Sequence, residues 1–128
     1  MKYLTILLFL AFAFNTNAQE VLKREYHENG LISLSVYRVA GQVHFVSYHE
    51  NGKLFEKGTY QNGKKHGIWQ RCDESGNTLT KGFYVDDRPE GRWVYRLCCG
   101  SNAWVKFKDG KVSSGEHLDE LGEVIASR

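Results

Sequence analysis

The chain has 128 residues, of which 41% are hydrophobic and 25% charged, which is the composition of one small globular domain. Its 17 basic residues nearly balance its 15 acidic residues, so no clustered basic excess points to a nucleic-acid partner. Thirteen glycines, one proline and 13% aromatic residues favour short strands joined by tight turns over a helical bundle.

Residues 1–18 have the pattern of a secretory signal peptide. Lys2 is followed by an apolar run over residues 3–14, and small residues follow where a signal peptidase cleaves. The run is shorter than the roughly 20 apolar residues of a membrane span. A buried N-terminal helix is the alternative. We therefore predict an exported protein of the periplasm, cell envelope or medium, with a signal-peptide helix over 1–18 and one repeat domain over 19–128.

A five-residue motif recurs along the rest of the chain. Tyr-His-Glu-Asn-Gly stands at residues 26–30 and again at 48–52, and looser copies follow. The copies end on glycines separated by 22, 24, 24 and 22 residues: Gly30, Gly52, Gly76, Gly100 and Gly122. Such spacing predicts a structural repeat with a turn at each glycine.

A second series of turn residues lies between these glycines. Asn62–Gly63 and Asp109–Gly110 favour the positive φ that tight hairpins require, and Asp86–Asp87 and Gly41 hold the same phase. The two series together place a turn roughly every 11 or 12 residues, which predicts an all-β fold of strands and hairpins.

The spacing also suggests how strands pair. We predict that Tyr60 pairs with Gly67, which places Trp69 over Gly58 on the neighbouring strand. The next repeat is expected to form the equivalent pairs: Tyr84 with Gly91 and Gly82 with Trp93. A ring over each glycine would offset the weakness of glycine in a strand and explain why both residue types are abundant.

These motifs resemble a known family. Tyr-x-x-Asn-Gly at residues 48–52, followed by Tyr-x-Asn-Gly-Lys-Lys-x-Gly-x-Trp at 60–69, is similar to the MORN repeat, in particular its shorter bacterial variant. The resemblance is best over 48–95 and reaches, more weakly, residues 26 and 124. It implies an elongated single antiparallel sheet of successive hairpins. Bacterial proteins of this kind are often labelled antitoxin-like, which implies a protein partner such as a secreted toxin.

Two segments depart from the family pattern. Asp87–Arg88–Pro89 replaces Gly-Lys-Lys, and Cys98–Cys99 replaces polar turn residues. Three cysteines in an exported chain leave one thiol over. Cys72 and the Cys98–Cys99 pair are candidates for a disulfide, although an ideal sheet would separate them by about 9 to 10 Å, beyond the usual reach of about 7 Å. A reactive thiol served by His117 is the competing hypothesis.

No catalytic, cofactor or metal signature emerges, so we predict a protein that is not an enzyme. His27 and His49 occupy equivalent turn positions but lack further ligands at zinc spacing, and His66 is expected to be a solvated turn residue. Exposed tyrosine and tryptophan are typical anchors of protein interfaces. The candidate partner-binding residues are Trp69, Trp93, Tyr60, Tyr84 and Tyr48. The alternative is that these rings form the core of the repeats.

The second function hypothesis is a membrane-surface module. Lys64 and Lys65 lie in one turn, with Lys53, Lys57 and Lys81 on nearby strands, and such a basic stripe could contact anionic lipid head groups. Acidic residues interleave with these lysines, which favours an ordinary mixed surface. Exposed sheet edges also make pairing between chains conceivable, and the sequence fixes no oligomeric state.

Overall fold

The computed structural model describes residues 18–97, 100–118 and 124–127, with side chains for 18–97 and 100–116. In these ranges the secondary structure consists of β-strands: β1 (Glu20–Tyr26), β2 (Ile32–Val39), β3 (Gln42–Tyr48), β4 (Leu54–Gln61), β5 (Lys64–Lys65), β6 (Gly67–Cys72), β7 (Thr78–Val85), β8 (Arg88–Arg96), β9 (Asn102–Lys108), β10 (Lys111–Leu118) and β11 (Val124–Ser127). They form one antiparallel sheet in chain order, in which β6 follows β4 and the short β5 pairs with β4. The predicted all-β sheet of successive hairpins is confirmed.

The predicted signal peptide, Cys98–Cys99 and Gly122 lie outside the described residues, apart from Ala18. In the part of the chain that is described, no helix has the length and apolar character needed to cross a bilayer.

Two-residue turns close the hairpins at one end of the strands, along one long side of the sheet. At Asn62–Gly63 the φ angles are 52° and 74°. Positive φ at both central residues defines a type I′ turn, whose twist matches that of the flanking strands. The other turns of this side repeat the pattern, with positive φ at both residues: Ala40–Gly41, Asp86–Asp87 and Asp109–Gly110.

The turn at Asp86–Asp87 keeps this geometry without glycine. Asp87 has φ 67°, a strained value for a residue with a Cβ. The neighbouring hairpin stabilises it, because the Asp87 carboxylate accepts a hydrogen bond from the Lys65 N–H at 2.7 Å and the Asp87 N–H donates to the Lys65 carbonyl at 3.0 Å. The departure from the family pattern therefore leaves the turn intact and adds a contact between repeats.

Wider loops join the strands at their opposite ends. In the second copy the His49 N–H donates to the Lys53 carbonyl at 2.8 Å, and the Gly52 N–H donates to the His49 carbonyl at 2.9 Å. The same pair of bonds recurs in the other described loops, and each loop contains a glycine with φ between 80° and 93°: Gly30, Gly52, Gly76 and Gly100. The predicted turn glycines are thus confirmed at the four of five that the structure describes.

Replacing Gly63 or Gly52 with valine is expected to lower the free energy of unfolding by more than about 1 kcal/mol, because a β-branched residue is strained at positive φ. At Gly63 the loss would come from backbone strain and not from crowding, because nothing lies within 4 Å of a Cβ built there. Thermal melting of each variant against the wild type measures the effect. Unchanged melting temperatures would show that backbone conformation at these turns does not limit stability.

Tryptophan rings cover the strand glycines as predicted. A Cβ built on Gly58 would lie 2.1 Å from the Trp69 ring, and one on Gly82 would lie 2.0 Å from the Trp93 ring. Both glycines are buried in the sheet. Since real side chains never approach so closely, only glycine allows each ring to lie against its neighbouring strand.

The predicted partners of the tyrosines are wrong. Tyr60 pairs with Lys65, and Tyr84 pairs with Pro89, because the ladder shifts register before the tryptophans. The shifts coincide with positive φ at Gly67 (89°) and Gly91 (70°), which mark irregularities in the strands. Across the next strand boundary, however, Gly67 does pair with Tyr84.

The core of this single-layer sheet consists mainly of rings on one face, together with the buried Cys72. Trp69 and Trp93 are only 4% and 6% exposed. Their indole N–H groups donate to the carbonyls of Thr59 and Phe83 at 3.2 Å. The rings therefore satisfy their polar atoms locally while their apolar surface packs along the sheet.

Candidate binding surfaces

We call the sheet face that carries Trp69 and Trp93 the ring face. Successive residues of a strand point to opposite faces, so residues two apart share this face. Tyr84 stands between the tryptophans, with ring centroids 6.2 Å from Trp69 and 4.9 Å from Trp93 in edge-to-face geometry. Four more rings extend the cluster toward both ends: Phe45, Tyr60, Tyr95 and Phe107.

A depression of about 250 Å³ lies at the centre of the ring face. Its ring lining is Trp69, Tyr84, Trp93 and Tyr95, and its polar lining is Glu56, Lys65, Gln70, Arg71 and Thr80. The sequence explains its position, because the central strand β7 contributes the small Thr80 and Gly82 between larger neighbours. The depression therefore combines an aromatic floor with a polar rim.

Charged side chains at the rim are held in defined positions. Arg71 and Glu56 stand opposite each other on neighbouring strands and form an ion pair at 3.1 Å. The Lys65 ammonium lies 4.1 Å from the centre of a Trp69 ring and 5.2 Å from that of Tyr84, so it forms cation–π contacts with both. Within the described ranges Lys65 forms no ion pair. The rim offers a guanidinium, an ammonium and hydroxyl groups to a bound partner.

The tyrosines of the ring face hold their protons more tightly than usual. Burial, and then the Glu56 carboxylate, raise the pKa of Tyr60 and Tyr84 above the ordinary 10.0. Burial, and then Tyr84, raise the pKa of Tyr95. Since the folded state disfavours the phenolate, the contribution of these groups to stability is complete below pH 10.0 and is lost as pH rises through the raised values.

We therefore expect the free energy of unfolding to fall above pH 10.0. Phenolate absorbance should appear at a higher pH in the folded protein than in the unfolded chain. Glu56→Gln should bring the pKa of Tyr60 and Tyr84 closer to the ordinary value and leave that of Tyr95 in place. Spectrophotometric titration with Tyr→Phe variants assigns each step. Titration of all three phenols at the ordinary pKa would contradict the packing described.

The predicted partner-binding residues fall into three environments. Trp69 and Trp93 are buried and form the floor of the depression. Tyr84 is half-buried and lines the depression, and Tyr60 is half-buried beside it. Tyr48 ends β3, where it pairs with Leu54 next to the wide loops. The structure thus brings four of the five together on the ring face.

Sequence reasoning did not assign six of the lining residues to a partner-binding site: Glu56, Lys65, Gln70, Arg71, Thr80 and Tyr95. Arg71 and Glu56 follow from strand alternation, because each lies two residues from a member of the Trp69–Gly58 pair. Tyr95 follows in the same way from Trp93. Lys65 was missed because the sequence analysis placed it in a turn, where alternation does not apply; in the structure it stands on β5, pairs with Tyr60 and lies over Trp69.

The histidines of the wide loops link successive repeats. The Nε2 of His27 lies 2.9 Å from the Tyr48 carbonyl, and that of His49 lies 3.0 Å from the Cys72 carbonyl. A carbonyl only accepts, so Nε2 carries the proton in both. The series stops at the third loop, where Asp73 takes the histidine position. Hydrogen bonds to its carboxylate, first from Asn77, lower the pKa of Asp73.

His66 is not the solvated turn residue that the sequence predicted. Its ring packs edge-on against Phe83 at 6.1 Å, and its Nδ1 lies 3.7 Å from an Asp86 carboxylate oxygen. Its carbonyl accepts a hydrogen bond from the Thr59 hydroxyl. These contacts hold the residue at the strand irregularity before Gly67.

Cys72 is buried and is a free thiol in the structure. Because Cys98 and Cys99 lie outside the described residues, the disulfide and the reactive thiol stay predictions. Among the described side chains, no three His, Cys, Asp or Glu converge as metal ligands.

Comparison with known proteins supports the repeat assignment. The model of the family described as MORN repeat variant matches residues 42–62, the unit formed by β3, its wide loop and β4. Repeats of this family are commonly protein- or membrane-binding modules and are generally not enzymes. No curated protein matches the chain.

Two solved structures share a weak likeness. The crystal structure of TarM gives a TM-score of 0.41 and 10% identity over 86% of this chain and 21% of that one. A mutant of S. aureus TarM in complex with Fondaparinux, alpha-GlcNAc-glycerol and UDP gives a TM-score of 0.42 and 10% identity over 85% and 21%. The chain spans about a fifth of the length of these structures.

Proposed function

We propose that this protein is a non-enzymatic interaction module that binds a protein partner through the depression of the ring face. The observation that carries the proposal is the combination of an aromatic floor with an arginine and a lysine at the rim. Tyrosine, tryptophan and arginine are the residue types enriched in the energetic centres of protein interfaces.

The rim is also preorganised. Tyr84 is held edge-on between two tryptophans, and Arg71 is oriented by Glu56. Side chains that are already ordered lose little conformational entropy when a partner binds. The depression therefore favours recognition of a side chain that projects from a partner surface.

Arg71→Ala is the sharpest test of this surface. The side chain is half exposed, so its loss is expected to leave the fold intact. We expect the dissociation constant for the captured partner to rise about 30-fold, which corresponds to about 2 kcal/mol for loss of an interface centre. The partner is first isolated from envelope and secreted proteins on the immobilised wild-type protein, and binding is then measured by calorimetry.

Arg24→Ala on the exposed edge strand β1 is the matched control, because it removes the same group far from the depression. Equal binding by Arg71→Ala and Arg24→Ala would refute the assigned surface. A wild-type protein that retains no specific partner would refute the interaction role itself.

Export and toxin neutralisation form the finer part of the proposal. Support for export comes from the pattern of residues 1–18, and support for a toxin partner comes from the family resemblance. N-terminal sequencing of protein recovered from a bacterial periplasm is expected to begin at Gln19. An uncleaved chain retained in the cytoplasm would contradict export, and unchanged toxicity of the captured partner would contradict neutralisation.

A membrane-surface role is the second candidate, favoured by exposed Lys57 and Lys81 on one face and exposed Lys64 on the short strand β5. It predicts that the protein floats with vesicles containing phosphatidylserine and is released by salt. Absence of flotation would eliminate this candidate.

A further inference from the structure

The face opposite the ring face has a surface of different chemistry, which we call the outer face. Strand alternation turns Ile68 and Phe83, the neighbours of buried Trp69 and Gly82, onto it. These two residues stand directly opposite each other on β6 and β7. They are 56% and 41% exposed, although their side chains are apolar.

Further apolar side chains continue this surface. Val94 on β8 is 41% exposed and pairs with Lys81, and Val85 lies two residues beyond Phe83 and is also exposed. Antiparallel sheets usually present polar residues on the face that water covers. Single exposed apolar residues are ordinary, but a contiguous group across three strands is typical of an interaction surface.

Basic side chains lie beside these apolar ones, and one carboxylate lies among them, since Glu90 pairs with Phe83 and accepts a hydrogen bond from the Asp109 N–H. Each basic side chain is exposed and contributes one cation to a strand of the outer face: Lys57 on β4, Lys81 on β7, Arg92 on β8 and Lys106 on β9. In the described ranges none of the four forms an ion pair. Arg92 instead lies over Trp104, 4.9 Å from a ring centre.

The strand register arranges both groups in rows. Lys57 and Lys81 both pair with Gln70, and Lys81 pairs onward with Val94. Arg92 pairs with Lys106. Five strands lie side by side here: β4, β6, β7, β8 and β9. At roughly 4.8 Å between neighbours they span about 19 Å, which is the scale of one side of a small protein interface.

We propose that the outer face is a second interaction surface, and that its occupant is an acidic protein surface with projecting apolar side chains. Unpaired cations attract carboxylates and speed their approach, while Ile68 and Phe83 supply the apolar contact that holds them. The surface lies on the opposite side of the sheet from the depression, so this inference does not depend on the ring-face proposal.

A protein occupant suits this face better than a lipid surface. The row that contains Lys81 and Val94 continues through Trp104 to Glu116 on β10, so a planar anionic bilayer would lie against this carboxylate, whereas a protein surface can cover the basic strands alone. Alternation of cations and apolar groups at strand spacing also matches side chains fixed in a protein, whereas mobile head groups require only total charge.

Three short synthetic peptides of equal length test the proposal. One alternates aspartate with leucine, one lysine with leucine, and one aspartate with serine. Vesicles containing phosphatidylserine form the fourth probe. We expect the aspartate–leucine peptide to bind the full chain at least about tenfold more tightly than either other peptide, and to weaken as salt shortens the screening length from about 10 Å to 3 Å.

The variant pair Lys81→Glu with Arg92→Glu should weaken binding of the aspartate–leucine peptide at least about tenfold. Ile68→Ser with Phe83→Ser should weaken it while keeping the salt dependence. Lys23→Glu with Lys53→Glu is the control, since it changes net charge equally away from the outer face: Lys23 shares a row with Phe45 of the ring face, and Lys53 lies in a wide loop. Arg71→Ala should leave peptide binding unchanged, and melting curves verify that each variant is folded.

Three results would overturn the proposal. The first is equal binding of the acidic and basic peptides. The second is an equal loss of binding in the outer-face and control charge variants. The third is that the protein binds vesicles but not the aspartate–leucine peptide, and that Lys81→Glu with Arg92→Glu weakens the vesicle binding. This result would assign the face to lipid.

Discussion

Gly82→Ala is expected to destabilise the protein by about 3 kcal/mol, the upper range for overpacking of a closed core. A single methyl group at this position would lie 2.0 Å from the Trp93 ring. The ring cannot easily withdraw, because it is 6% exposed, packs against Tyr84 at 4.9 Å and donates its indole N–H to the Phe83 carbonyl. Relief would require the ring to leave its pocket or the two strands to separate.

Urea unfolding of Gly82→Ala measures the effect, and Gly115→Ala is its control. Gly115 also lies in a strand without positive φ, and its Cβ would meet the Trp104 carbonyl at 3.0 Å, a tight contact that a shift of a few tenths of an ångström relieves. We expect the control to lose much less stability. Equal losses for the two variants would mean that strand propensity, and not the ring, determines the cost at Gly82.

Trp69→Ala is expected to lower the free energy of unfolding by about 3 to 5 kcal/mol, the usual range for removal of a buried aromatic ring. The ring is 4% exposed and contacts Tyr60 and Phe45 at centroid distances of 5.2 and 5.9 Å. Its loss would uncover Gly58, which has no side chain to fill the space.

Trp104→Ala is the control for this variant, because Trp104 is only half-buried. Calorimetric melting of both variants separates a core role from a contact role. A Trp69→Ala protein as stable as Trp104→Ala would mean that Trp69 is a surface anchor, as one of the sequence hypotheses allowed.

Much of the fold was predictable because turn formation is local. Asn62–Gly63 favours positive φ by its own chemistry, and so do the glycines of the wide loops, so hairpin order followed from their spacing alone. The ring over Gly58 was also predictable, since strand alternation and a shared 24-residue period align Trp69 and Trp93 with the glycines.

The contacts between repeats could not be predicted from the chemistry of neighbouring residues in the chain. Asp87 holds a strained φ because Lys65, 22 residues away, bonds to it from the neighbouring hairpin. The irregularities at Gly67 and Gly91 move the partners of Tyr60 and Tyr84, because the ladder can shift wherever glycine permits positive φ. Such choices depend on hydrogen bonds between strands that form only once the strands are adjacent.

Short segments of the chain were enough to specify one sheet of successive hairpins with rings set against glycines. The burial of particular aromatic residues, the depression between Trp69 and Trp93, and the exposure of Ile68 and Phe83 beside unpaired cations followed from contacts between distant segments. The physical reason is that turn preference belongs to a few consecutive residues, whereas burial and charge pairing depend on side chains that distant segments bring together.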